Sequence, residues 1–293
     1  MKNILIACLF ISLPFLSIAQ FWEGGLYGGI SYYNGDMSTR LIDSKQLQPS
    51  VGAFLRYNPL DALSVRVSGG WARTASDMAN TNPDYQYYEA FLDHNLSFRT
   101  TIIEAAVMAE WNILGFDPYN LRKIFTPYIF AGIGGFYYNP KAEYENEWHA
   151  LRELGTEGQG MDGYDDYYSK LSLAIPFGLG VKLAVNDIWN IGIDWGARYT
   201  FTDYLDDAST VYVSRPELLA GGKSELAANL ANRMGEYRGS EPVIVETGTR
   251  RGNAESKDFY TFLVLTVSYN FMDNGLVGFR RKNSRRSACP TNF

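Results

Sequence analysis

Cysteine is nearly absent from this chain of 293 residues: there are two, Cys8 and Cys289. Cys8 falls in an N-terminal segment that reads as a leader, so the mature chain keeps one thiol and no intramolecular disulfide. Histidine is as scarce. His94 and His149 stand alone, with no second cysteine to complete a transition-metal site and no nucleophile placed to form a triad. Phosphate loops and nucleotide fingerprints are missing too. Neither an enzyme nor a bound cofactor or metal is therefore expected. Positive charge is in short supply, 26 Lys and Arg against 32 Asp and Glu, and the net charge of -6 argues against a nucleic-acid partner. Beyond the leader no run of about 18 apolar residues occurs, which excludes crossing a membrane by helices.

The leader itself is well formed. Lys2 supplies the positive start, residues 4–16 the apolar core, and Ser17-Ile18-Ala19 a small-residue cleavage site before Gln20. Residues 1–19 are expected to be a secretory signal peptide. Leu5-Ile6-Ala7-Cys8 resembles a lipoprotein box, but almost no apolar region precedes it, where about 7 or more residues are needed.

What the chain has in abundance is aromatic residues and glycine: 21 Tyr, 17 Phe, 6 Trp and 28 Gly. These suit interfacial girdles and strands that must curve and close. The clearest stretch is 170–202. Leu171, Leu173, Ile175, Phe177, Leu179, Val181, Leu183 and Val185 alternate with Ser172, Ala174, Pro176, Gly178, Gly180, Lys182 and Ala184. After a turn at 186–190, Ile191, Ile193, Trp195, Ala197, Tyr199 and Phe201 alternate with Gly192, Asp194, Gly196, Arg198, Thr200 and Thr202. Side chains alternate across a strand, so each arm has one bulky apolar face and one small, polar or charged face. That is the dyad pattern of an outer-membrane barrel; the alternative, a soluble sandwich, would carry a varied, wet second face.

Segments of alternating or two-sided apolar character recur eight times, at 24–33, 49–58, 62–73, 96–113, 126–138, 170–185, 190–202 and 259–271. The fifth is apolar on both faces and its direction is left open. Connections alternate in length. Those at 58–61, 115–125 and 186–189 are short; those at 34–48, 74–95, 139–169 and 203–258 are long. The expected fold is all-β: an eight-stranded antiparallel transmembrane outer-membrane β-barrel over 20–271, with short periplasmic turns, long outer loops and both termini in the periplasm. A basic tail, 272–293, would follow on the periplasmic side.

Alternation places Arg56, Arg66, Glu104, Glu110, Lys182, Asp194 and Arg198 in the lumen. Charges withdrawn from water must pair, and this mixed set reads as a charge-paired filling of a narrow barrel rather than a proton relay or selectivity ring. The loop at 139–169 is acidic, with Glu143, Glu145, Glu147, Glu153, Glu157, Asp162, Asp165 and Asp166 against Lys141 and Arg152. It reads as a solvated face; residues 160–166 lack the spacing and closing Glu of a hand-type calcium loop. In the last loop, residues 224–234 look helical, with Leu226 and Leu230 on one face that would pack over the barrel mouth. Arg122 and Lys123 in a short turn, and Arg280, Arg281, Lys282, Arg285 and Arg286 in the tail, form a candidate periplasmic docking surface, against the plainer reading of a solvated end or a belt for lipid phosphates.

Several segments together resemble the PorG-like outer-membrane β-barrels of Bacteroidetes type IX secretion. They are Asn95-Leu96-Ser97-Phe98-Arg99 with Glu104 and Glu110, Gly155-Thr156-Glu157-Gly158-Gln159-Gly160, Ile175-Pro176-Phe177-Gly178-Leu179-Gly180-Val181-Lys182, and Leu230-Ala231-Asn232-Arg233. The most specific is Tyr199-Thr200-Phe201-Thr202-Asp203-Tyr204-Leu205-Asp206-Asp207. The resemblance implies a non-enzymatic outer-membrane component, embedded in outer-membrane lipids and associating from below with a periplasmic ring of PorK and PorN type. The alternative is a small-solute channel or surface-binding barrel.

Overall fold

A computed structural model describes residues 21–38, 44–80 and 86–273. The signal peptide (1–19) and most of the basic tail, including Arg280, Arg281, Lys282, Arg285 and Arg286, lie outside the described residues. Among the described residues nine strands are present: β1 (Phe21–Asn34), β2 (Gln48–Leu60), β3 (Leu63–Asp77), β4 (Ser97–Asn112), β5 (Phe125–Tyr144), β6 (Glu147–Ala150), β7 (Leu171–Ala184), β8 (Trp189–Thr200) and β9 (Phe259–Asp273). Eight of them close a barrel in the order β4-β3-β2-β1-β9-β8-β7-β5, with β5 pairing back onto β4. All pairings are antiparallel between neighbours, so the fold is a closed eight-stranded antiparallel barrel.

The eight barrel strands run 12 to 20 residues, longer than the roughly 9–11 that cross a hydrocarbon core. Both ends therefore project beyond the apolar band. That band is the exterior: Leu26, Val67, Ile103, Ile133, Leu173 and Leu265 all point outward and exposed, Ile133 at 73 %. So much contiguous exposed apolar surface has no stable place in water and is the lipid-facing belt of an outer-membrane-type barrel. Around the short-turn end, aromatic pairs Trp22–Tyr57 and Trp189–Tyr269 pack with ring centroids 4.8 and 5.3 Å apart, the first tilted and the second edge-on, as residues of an interfacial girdle.

β5 settles the direction left open by its two apolar faces. Tyr128, Phe130, Phe136 and Tyr138 are buried in the lumen while Ile129, Ile133 and Tyr137 face out. The strand also continues six residues past the expected end, to Tyr144, and folds back on β6 through Glu145 and Asn146, both at positive φ. The predicted loop 139–169 therefore begins as a projecting hairpin. The last long connection packs three short helices, Arg215–Ala220, Glu225–Ala231 and Met234–Arg238, at the barrel mouth. Leu230 is buried and Leu226 packs beside it, against a core that includes Tyr33, Phe98, Ile102, Phe136, Tyr138, Leu205 and Tyr260.

Candidate functional site: the charged lumen and its plug

All seven charges assigned to the lumen point into it, and an eighth joins them. Glu23 on β1 is fully buried and takes Arg56 Nη1 at 2.9 Å. Glu110 on β4 sits at the centre: Arg56 Nε lies 2.9 Å from one of its oxygens and Arg66 Nε 3.0 Å from the other. Lys182 Nζ approaches the same carboxylate at 3.3 Å. Arg66 Nη1 donates to Asp194 at 2.5 Å, and Asp194 also accepts from the Tyr128 hydroxyl. A second group, nearer the loops, joins Arg198 Nε to Glu104 at 3.3 Å, with the Tyr260 hydroxyl donating to the same oxygen at 2.7 Å. Four cations (Arg56, Arg66, Lys182, Arg198) thus meet four carboxylates (Glu23, Glu104, Glu110, Asp194), and this set is electrically neutral.

Burial without compensation would cost several kcal/mol per ion, and several of these charges carry further partners. Glu23 accepts from Asn58, Asn190 and Ser268 at 3.1, 3.0 and 2.7 Å. Guanidinium faces lie on rings: Arg56 on Phe54 at 4.8 Å, Arg66 on Phe130 at 5.0 Å and Arg198 on Phe262 at 4.0 Å. The space left beside Arg66, Asp194 and Arg198 is a cavity of about 20 Å³, enough for about one water molecule. At the short-turn end Phe116 is fully buried against Phe21 and Ala184, with Lys182 Nζ 4.8 Å from its ring.

The other end is closed by the loops. Leu205 is wholly buried, and its carbonyl accepts from Thr100 of β4 at 2.7 Å. The Tyr33 hydroxyl oxygen lies 2.6 Å from Asp206 and 2.7 Å from Asp258. One O–H can donate to only one carboxylate, so the other contact needs a proton on a carboxyl. Burial pushes Asp206 and Asp258 well above the usual carboxylate range, and Asp203 and Asp207 to about 7 and about 6. Deeper in the loops, Arg251 Nη1 meets Glu157 at 2.9 Å, and Glu157 also accepts from the backbone of Ser209 and Thr210. Glu157 is therefore not part of a solvated acidic face, as its neighbours suggested; it is the buried anchor of Arg251. Tyr138, Tyr168 and Tyr204 stack in line at 6.2 and 4.4 Å, and the Tyr168 hydroxyl donates to Asp207 at 2.6 Å. Tyr212 Oη sits 3.0 Å from His94 Nδ1, and burial holds that imidazole below its ordinary range. Among the described residues no group of His, Cys, Asp and Glu is arranged to hold a metal ion.

Residues 2–216 match the family described as Domain of unknown function (DUF6089). The chain belongs to the DUF6089 family. Among curated proteins none matches it. Solved structures similar to this DUF6089 barrel include Neisserial surface protein A (9 % identity, covering 85 % of this chain and 97 % of that one, TM-score 0.40). The outer membrane protein OprG of Pseudomonas aeruginosa is another (12 %, 86 % and 95 %, 0.37), as is Ail of Yersinia pestis in complex with a heparin analogue (10 %, 86 % and 98 %, 0.34).

On the short-turn side of the DUF6089 barrel, Arg122 is exposed, whereas Lys123 is tied to Asp61 at 2.6 Å. Two kinds of residue escaped sequence reasoning. Glu23 lay one step outside the predicted first strand, and extending the alternation from Gly25 and Tyr27 would have found it. Arg251 pairs with Glu157 from 94 residues away, and Asp258 with Tyr33 from 225; no local pattern marks such contacts.

Proposed function

We propose that this protein is a non-enzymatic, non-conducting outer-membrane barrel that anchors or helps assemble a type IX protein secretion machine through its periplasmic ring. The single observation that carries the reading is the lumen: eight charges neutralise one another inside it, Phe116 fills one end and the Leu205–Asp206 segment the other. A conduit keeps a wet, open path, whereas the cavity beside Arg66, Asp194 and Arg198 leaves room for about one water molecule. An anchor must instead be a stiff body with surfaces for partners. The resemblance to PorG-like barrels supplies the machine, and the ring of PorK and PorN type the partner.

On this reading the short turns and the basic tail face the periplasm. Arg122 and the cluster at 280–286 are the docking charges. Affinity capture from detergent-solubilised membranes tests it: the full chain should bring down ring components, and a chain lacking 275–293 with Arg122→Glu should lose them. Ring association and cargo secretion unaffected by that variant would refute docking by these charges. A stable open conductance of the purified protein in a planar bilayer would instead favour a small-solute channel.

A further inference from the structure

Three cations outside the lumen have no part in the network above. Arg73, Arg99 and Lys141 occupy outward positions near the long-loop end of β3, β4 and β5. Arg99 and Lys141 are direct cross-strand partners, and Arg99 also pairs with Ala75, two residues beyond Arg73. Like charges so placed repel. None of the three forms an ion pair with a described carboxylate. Asp77 lies four residues beyond Arg73, and Glu143, two residues beyond Lys141, offsets part of the charge on Arg99 without pairing with it, so the three cations keep an excess of positive charge. Both guanidinium groups are backed by indoles, Arg99 at 3.6 Å over Trp148 and Arg73 at 5.6 Å over Trp71. Such stacking fixes the plane and leaves the N–H edge for an anion. Arg73 Nε is enclosed and has no hydrogen-bond partner.

Directly below these cations the exterior is hollowed. Ala105 and Gly135 are cross-strand partners, and Leu173 pairs with Gly135 on the other side. Missing side chains there leave an apolar trough of about 540 Å³ walled by Val107, Ile133, Leu173 and Ile175. A further space of about 400 Å³ continues it upward past Ile103, Tyr137 and Leu171. Six residues separate Ala105 from Arg99, roughly 20 Å along the strand, comparable with the depth of about 15 Å of one leaflet.

We propose that this face holds a phosphate-bearing lipid in the leaflet at the long-loop end, its phosphate on Arg73, Arg99 and Lys141 and an acyl chain in the Ala105–Gly135 trough. The proposal rests on the membrane-spanning reading of the barrel and not on its role in secretion. Charge complementarity selects the headgroup, and the apolar trough selects a lipid over a free anion.

Native mass spectrometry of the full-length protein released from vesicles tests it, with phosphatidic acid, phosphatidylcholine and inorganic phosphate as probes. Phosphatidic acid should be retained about tenfold over phosphatidylcholine, a difference of about 1.4 kcal/mol, and inorganic phosphate should not be retained. Replacing Arg73, Arg99 and Lys141 together by Gln should abolish the preference. Gly135→Leu should lower retention of both lipids; a Cβ there meets no heavy atom nearer than 4.0 Å, so the barrel still folds. Equal retention of the two lipids, an unchanged triple variant, or a Gly135→Leu protein that binds as before would each overturn the site. A protein that inserts into vesicles of neither composition would overturn the membrane reading as well, an outcome distinct from the loss of lipid preference.

Discussion

Arg56 and Arg66 are direct cross-strand partners on β2 and β3, and both guanidinium groups lie inside the barrel. Opposed like charges destabilise a sheet, yet here Glu110 reaches across from β4 and gives one oxygen to each, at 2.9 and 3.0 Å. The lumen is therefore organised around one carboxylate on which three cations converge.

Glu110→Gln keeps the shape and removes the charge, leaving Arg56, Arg66 and Lys182 with one compensating carboxylate fewer. Breaking a buried ion network from one side costs about 3–5 kcal/mol. Urea unfolding of protein refolded in detergent should report that loss. Adding Lys182→Met restores neutrality and should recover at least half of it; no recovery would mean that shape, not charge balance, sets the stability.

Gly178 and Gly196 pair across β7 and β8 where the Phe130 ring lies against the wall. A Cβ on Gly178 would come 2.3 Å from the Trp195 carbonyl oxygen and 2.7 Å from Phe130. Gly178→Val should give no heat-modifiable folded band on a gel. Gly135→Ala, on the exterior with open space around it, should change stability by less than about 0.5 kcal/mol.

Leu205 is the apolar tip of the plug, fully buried among residues from several barrel strands. Leu205→Ala should weaken docking of the last loop by about 2–5 kcal/mol while the strands stay paired. Limited proteolysis in detergent should then cut within 203–258 much faster than in the parent protein, with the strand amides still protected. Cutting at the parent rate would mean that Leu205 does not hold the plug.

Burial raises Asp203 to about 7 from the ordinary carboxylate value of 3.8, against the opposing hydrogen bond from Ser209, and Asp36 adds to the rise. A carboxyl whose folded value is raised favours the folded state most below pH 3.8, and that contribution is lost as pH climbs through about 7. Asp207, at about 6, acts in the same direction. The loop plug should therefore resist protease better at pH 5 than at pH 8. Asp203→Asn should protect it at pH 8 and change little at pH 5. Greater protection of the parent protein at pH 8 would reverse the sign and refute the assignment.

The barrel was legible because its signal is local and repeats. Two-residue alternation marks seven of the eight strands, and it placed seven of the eight lumen charges, such as Lys182 beside Gly180. Where both faces are apolar, as in β5, periodicity carries no direction. Tyr128 and Phe130 are inward because only that orientation sets aromatic rings over Gly178, Gly180 and Gly196 on the neighbouring strands.

By itself, then, the sequence determined that this chain alternates into eight lipid-facing strands with long connections at one end, since side-chain parity is a property of neighbours along the chain. Only the tertiary structure decided which charges neutralise which. It alone brought Asp258 to Tyr33 and Arg251 to Glu157. Such pairings are fixed by barrel closure and by a loop folding back into the mouth, and distance in space after closure is not written in any local pattern of residues.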